Sequence, residues 1–194
     1  MPTSAATAQG TRERIVCTAA RLMQRQGYEG TGIKLIAREA KATLGSVYHF
    51  FPGGKKELAL TAIAFSEKEF GELLSASLAQ ESSPGAAMEA CARALADYLA
   101  ADGWADGCPV TATALETLGD DDMREACGRA FAHWRGIVAD ALVKGGVGKA
   151  DAAELAYTVI AALEGAELTA QVARGPEALH VAGKHLARLL GTYA

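Results

Sequence analysis

Between positions 31 and 56 the chain gathers Thr31, Lys34, Thr43, Ser46, Tyr48, His49, Lys55 and Lys56. Hydroxyl, phenol, imidazole and ammonium groups of this kind donate hydrogen bonds to phosphate oxygens, and short hydroxyls also reach base edges. Gly45 lets backbone approach a duplex closely, and Leu44 beside it offers an apolar contact to thymine methyl groups. Thr31 is placed to cap a helix beginning near Ile33, whose N-terminus would attract the same phosphate. Lys55 and Lys56 follow the Gly53-Gly54 amides and make an expected second phosphate clamp. This is recognition chemistry. The sequence has no HExxH, GxSxG, phosphate loop or paired-metal spacing, so no enzyme, metal or cofactor is expected. Cys108 with His133 is the one conceivable catalytic dyad.

A second set of residues suits a small-molecule pocket. Small alanine side chains leave space in a helical bundle, and Tyr98, Trp104, Met123, Phe131, Trp134 and Tyr157 are large enough to line it. Thr111, Thr113, His133 and Glu164 carry groups that would orient a ligand. The competing reading places the aromatics in the core and makes Glu164 an interface hydrogen-bonder. Cys108 precedes Pro109 at an expected helix start, where a thiol with a lowered pKa would sense oxidants or electrophiles. Packing as a small apolar residue is the alternative.

The elements that must position these groups are helical throughout, because apolar residues recur at helical spacing and nowhere alternate at period two. The pattern predicts an all-α chain of about nine helices. A first helix spans 11–26 and stops at Gly27, expected in an αL cap. Short helices follow over 33–40 and 44–50, halted by Pro52-Gly53-Gly54, and a long one runs from Lys55 to about Ala79. Further helices are read at 84–101, 109–118, about 120–144, 151–173 and 176–191. The two short helices cannot stand alone and must pack on the first through Ile33, Ile36, Ala37 and Val47. That arrangement is a helix-turn-helix, whose second helix enters a DNA major groove.

Roughly a fifth of the 194 residues are alanine and only 5 are proline, which agrees with helix. The formal charge of −4 conceals two unlike parts. Residues 1–60 hold nine Lys and Arg against four Asp and Glu, a balance of +5, and residues 61–194 hold 10 against 19, a balance of −9. A basic module joined to an acidic one is the footprint of nucleic-acid binding at one end. The first ten residues read as a tail and not a secretory signal, and no apolar run is long enough to span a membrane. Four cysteines (Cys17, Cys91, Cys108 and Cys127) without a CxxC pair suggest reduced thiols in the cytoplasm.

Gly27-Tyr28, the run Thr31-Gly32-Ile33-Lys34-Leu35-Ile36-Ala37, then Gly45-Ser46-Val47-Tyr48-His49-Phe50-Phe51 and Lys55-Lys56-Glu57-Leu58 together resemble the TetR family of bacterial transcription regulators. The segment from Gly107-Cys108-Pro109 to Glu116 resembles its LmrA/YxaF-like subgroup. The resemblance implies a DNA-binding domain over 11–56, a regulatory domain over 57–194, and backbone contacts from Thr31, Lys34, Thr43, Tyr48 and Lys55. It also implies a homodimer built from the last two long helices, for which Leu155, Val159, Ala162, Ala166 and Ala170 are the expected interface. A palindromic operator and release of a repressor by a small molecule bound between the helices of 84–174 follow from the same resemblance. An activator or ligand-independent regulator is the alternative. Lys41 stands where the family commonly has glycine, so a left-handed non-glycine residue is expected in the turn. Leu44 replaces a commonly polar residue, so base preference does not carry over.

Overall fold

The computed structural model describes residues 10–193; the expected N-terminal tail, apart from Gly10, lies outside them. Nine helices and no strand are found among the described residues. They are α1 (Thr11–Gln26), α2 (Ile33–Glu39), α3 (Leu44–Phe50), α4 (Gly54–Gln80), α5 (Pro84–Ala101), α6 (Pro109–Thr117), α7 (Asp121–Lys144), α8 (Lys149–Ala173) and α9 (Glu177–Gly191). None is long and apolar enough to cross a membrane.

The first helix buries Ile15, Ala19 and Met23, one above another at i, i+4 spacing. Gly27 stops it at φ +74 and ψ 177, a positive-φ but extended conformation and not the expected αL cap. A Cβ on Gly27 would stand 2.1 Å from a carboxylate oxygen of Glu116, so that position needs glycine twice over. Helix α2 begins after Gly32 and has no side-chain cap. Thr31 therefore does not cap it: the turn after Gly27 tucks Thr31 inside, fully buried, where its hydroxyl donates to Gly27 O at 2.7 Å. Thr43 does cap α3, accepting from the Ser46 N–H at 3.0 Å. Lys41, between α2 and α3, sits at φ +51, the left-handed non-glycine residue foreseen, at a cost on the order of 1 kcal/mol.

Ile36, Ala37, Val47 and Phe51 are buried where α2 and α3 pack on each other and on α1. Helix α4, about 40 Å long by its residue count, leads from this unit into the bundle of α5–α9. Ser83 and Asp120 cap α5 and α7 by accepting from backbone N–H groups one turn on. Helices α5 and α9 approach closely, since a Cβ on Gly183 would lie 2.8 Å from the Ala92 methyl.

The α8 stripe corrects one expectation. Leu155, Val159, Ala166 and Ala170 are buried in this one chain, together with Ile160 and Leu163, while Ala162 is half-buried. The stripe with the strongest hydrophobic period faces its own bundle. What α8 exposes instead is Tyr157, Ala161, Gly165, Leu168 and Val172, and α9 exposes Val181.

Candidate nucleic-acid interface and cavity

The helix-turn-helix sorts its side chains cleanly. Val47 is fully buried, and Thr43, Leu44, Gly45, Tyr48 and His49 are exposed on the other side of α3, with Ser46 half-buried. Lys34 is exposed on α2. Thr43 Oγ1 and Ser46 Oγ lie 2.9 Å apart, so the cap also fixes the two hydroxyls at the head of α3. The two lysines divide. Lys55 is half-buried, 4.1 Å above the Tyr28 ring, and donates to Glu29 O at 3.4 Å. Lys56 is held by Asp120 at 2.9 Å and Asp122 at 2.7 Å, at the start of α7. The expected lysine clamp is thus not a matched pair: in this structure Lys56 belongs to a contact between α4 and α7. Thr31, inside the turn, presents no hydroxyl to solvent.

A cavity of about 390 Å³ lies where α1, α4, α5, α7 and α8 converge on the start of α6. Of the sequence candidates, Tyr98, Cys108, Trp134 and Glu164 line it. Trp134 is almost wholly buried, anchored by its indole N–H on Glu67 O at 2.8 Å and edge-on to Phe70 at 4.8 Å. Thr111 stands behind the wall, donating to Glu164 Oε2 at 2.6 Å.

The remaining candidates lie elsewhere. Met123 and Thr113 are core, Trp104 packs in the α5–α6 loop at φ +65, and Phe131 supports Trp134 from behind at 5.4 Å. Tyr157 is exposed under the Arg135 guanidinium. His133 lies in a separate surface groove, with Nδ1 3.2 Å from Glu67. In each case aromatic or polar character alone gave no facing direction.

Sequence reasoning missed the other walls: Cys17, Ala20, Arg21 and Gln24 of α1, Phe65 and Phe70 of α4, and Glu167 of α8. Both phenylalanines are half-buried, because the cavity interrupts the core there. Glu167 had a signal in its spacing. It lies three residues after Glu164, hence on the same helix face.

Burial and the two neighbouring carboxyls push the Cys108 thiol well up, while its sulfur accepts from the Thr111 N–H at 3.4 Å. That opposes the thiolate-sensor alternative, because the helix N-terminus is outweighed by desolvation and nearby acid groups. Burial likewise raises Glu164, and desolvation followed by Glu164's charge pushes Glu167 up to about 8.

The first helix is tied to the bundle at several points. Arg25 pairs with Asp102 and with the buried Asp106 in the loop after α5. Glu116 of α6 covers Gly27 and accepts the Glu29 N–H at 2.8 Å. Gln24 donates to the Tyr98 hydroxyl at 3.4 Å. One helix is therefore both scaffold for the helix-turn-helix and wall of the cavity.

A three-helix unit with an exposed recognition helix, carried on a helical bundle with an internal cavity, defines a helix-turn-helix regulator. The model for bacterial regulatory proteins of the TetR family matches residues 15–62, and that for the C-terminal domain of LmrA/YxaF-like transcriptional regulators matches residues 84–185. Among relatives, the chain is 35% identical over 155 residues to the uncharacterized HTH-type transcriptional regulator YxaF of Bacillus subtilis, covering 79% of this chain and 81% of that one. It is 32% identical over 164 residues to the HTH-type transcriptional regulator LmrA of the same organism, covering 84% and 87%. A crystal structure of a TetR transcriptional regulator from Chloroflexus aurantiacus superposes with a TM-score of 0.75 at 30% identity, covering 93% of this chain and 94% of that one. The chain belongs to the TetR family of transcriptional regulators, in its LmrA/YxaF-like group.

Proposed function

We propose that this regulator is a homodimeric, cytoplasmic repressor that leaves a palindromic operator when a small molecule fills the cavity. The observation that carries the reading is α1, whose Cys17, Ala20, Arg21 and Gln24 face the cavity while its Ile15, Ala19 and Met23 hold the helix-turn-helix core. A ligand that moves this wall moves the DNA-reading unit with it. Lys34, Thr43, Leu44, Gly45, Ser46, Tyr48 and His49 form the DNA face, with Lys55 at its edge.

Dimerisation is assigned to the outward face of α8 and α9, around Ala161, Gly165, Leu168, Val172 and Val181. Small residues there let helices approach, and the large exposed aliphatics would be covered. A two-fold dimer places its recognition helices about one DNA turn apart and reads an inverted repeat. By linkage, a ligand that weakens DNA binding must itself bind more weakly to the DNA complex.

Selection of bound duplexes from random DNA, followed by titration, tests the reading. The expected result is an inverted repeat whose affinity falls steeply with salt, by a factor on the order of 10³ or more between 50 and 200 mM for about six phosphate contacts. A selected site without two-fold symmetry overturns the dimeric reading. Equal affinity of a bound small molecule for free and DNA-bound protein overturns release.

A further inference from the structure

Glu167 is 8% exposed, lines the cavity, and has no hydrogen-bond or ion-pair partner among the described residues. A carboxyl in so dry a setting is costly to ionise without a counter-charge, and its place on the cavity wall lets a ligand supply one. Glu164, three residues earlier, lines the same wall. The Thr111 hydroxyl donates to it at 2.6 Å and holds it in place, whereas Glu167 beside it has no hydrogen-bond donor among the described residues. Phe65, Phe70 and Trp134 supply aromatic surface across the same space. Arg21 is the one basic residue on the wall among the described residues, and it is exposed, as are Glu69 and Tyr98.

We infer that the cavity accepts an aromatic organic cation, whose ammonium rests between Glu167 and Glu164 and whose ring packs on Phe65, Phe70 and Trp134. The inference rests on the reading of this cavity as the effector site. An acceptor-rich floor inside aromatic walls is complementary to a donor carrying positive charge. The cation brings the Glu167 carboxyl both donors and a counter-charge, and the aromatic faces attract the same charge through their quadrupoles. A neutral ligand could donate a hydrogen bond to Glu167 but would leave its charge uncompensated. An anion would add like charge beside both acids.

Charge is isolated by three probes sharing one ring: naphthylmethylammonium, naphthylmethanol and naphthoate. Titration calorimetry of the full chain near pH 8 is expected to find the ammonium bound about tenfold or more tighter than the alcohol, with naphthoate weakest. In Glu167→Gln the ammonium-to-alcohol ratio should fall to within about twofold, and in Glu164→Gln it should fall less. Circular dichroism and operator affinity report whether each variant is folded. Equal or tighter binding of the alcohol overturns the inference. So does an unchanged ratio in folded Glu167→Gln, or a failure of all three probes to bind. The effector reading is scored separately by operator release. Ammonium preference without release sustains the ligand class and overturns the effector role, whereas release by the alcohol in preference to the ammonium does the opposite.

Discussion

At the scale of single residues, burial decides function more than residue type does. Glu167 is the clearest case. Its folded value of about 8 lies above the ordinary 4.5, so the folded chain holds this proton more tightly than the unfolded one. Stability from that proton is complete below about pH 4.5 and is lost as pH rises through about 8, a swing on the order of 5 kcal/mol. Glu167→Gln should flatten this decline, and urea unfolding at pH 5 and pH 8.5 measures it. A slope that survives the substitution would assign the effect to other groups. In the helix-turn-helix, exposed Lys34 makes no ion pair among the described residues. Lys34→Ala should therefore leave the melting temperature within a degree or two. It should weaken operator binding and reduce the logarithmic salt slope by about one phosphate contact.

At the scale of elements, α1 is the coupling piece, and its ties should be separable from its packing. Arg25→Ala strands the buried Asp106 and loosens the end of α1. The guanidinium is 37% exposed, so solvent screening limits the loss to about 1–2 kcal/mol. The larger expected change is in the coupling between cavity and operator, read as a smaller ratio of ligand affinities with and without DNA. An unaltered ratio would remove this tie from the pathway. The elements themselves were legible in the sequence. Periodicity, Gly27, Pro84 and Pro109 placed the helices to within a few residues. Facing was less legible. The stripe of Leu155 and Val159 reads as an interface because nothing in a single helix says which neighbour covers it. Lys56 reads as a phosphate ligand because Asp120 and Asp122 are distant in sequence. Cys17 and Gln24 were invisible as cavity wall, since a helix assigned to the DNA-binding unit gave no reason to look there.

At the scale of the molecule, a basic recognition unit stands on an acidic bundle, and the bundle leaves one apolar face uncovered. Val172 is 80% exposed and Leu168 55%, a pairing that a lone chain in water has little reason to keep. Leu168→Glu with Val172→Glu should convert a dimer to folded monomers in analytical ultracentrifugation and abolish tight binding to a two-half-site operator. A species of unchanged mass would move the interface elsewhere. Gln24 of α1 and Tyr98 of α5 both line the cavity and are joined by a hydrogen bond at 3.4 Å. A bound molecule that hydrogen-bonds either side chain would compete with this tie, so ligands of equal affinity would differ in how far they loosen the reading unit from the bundle.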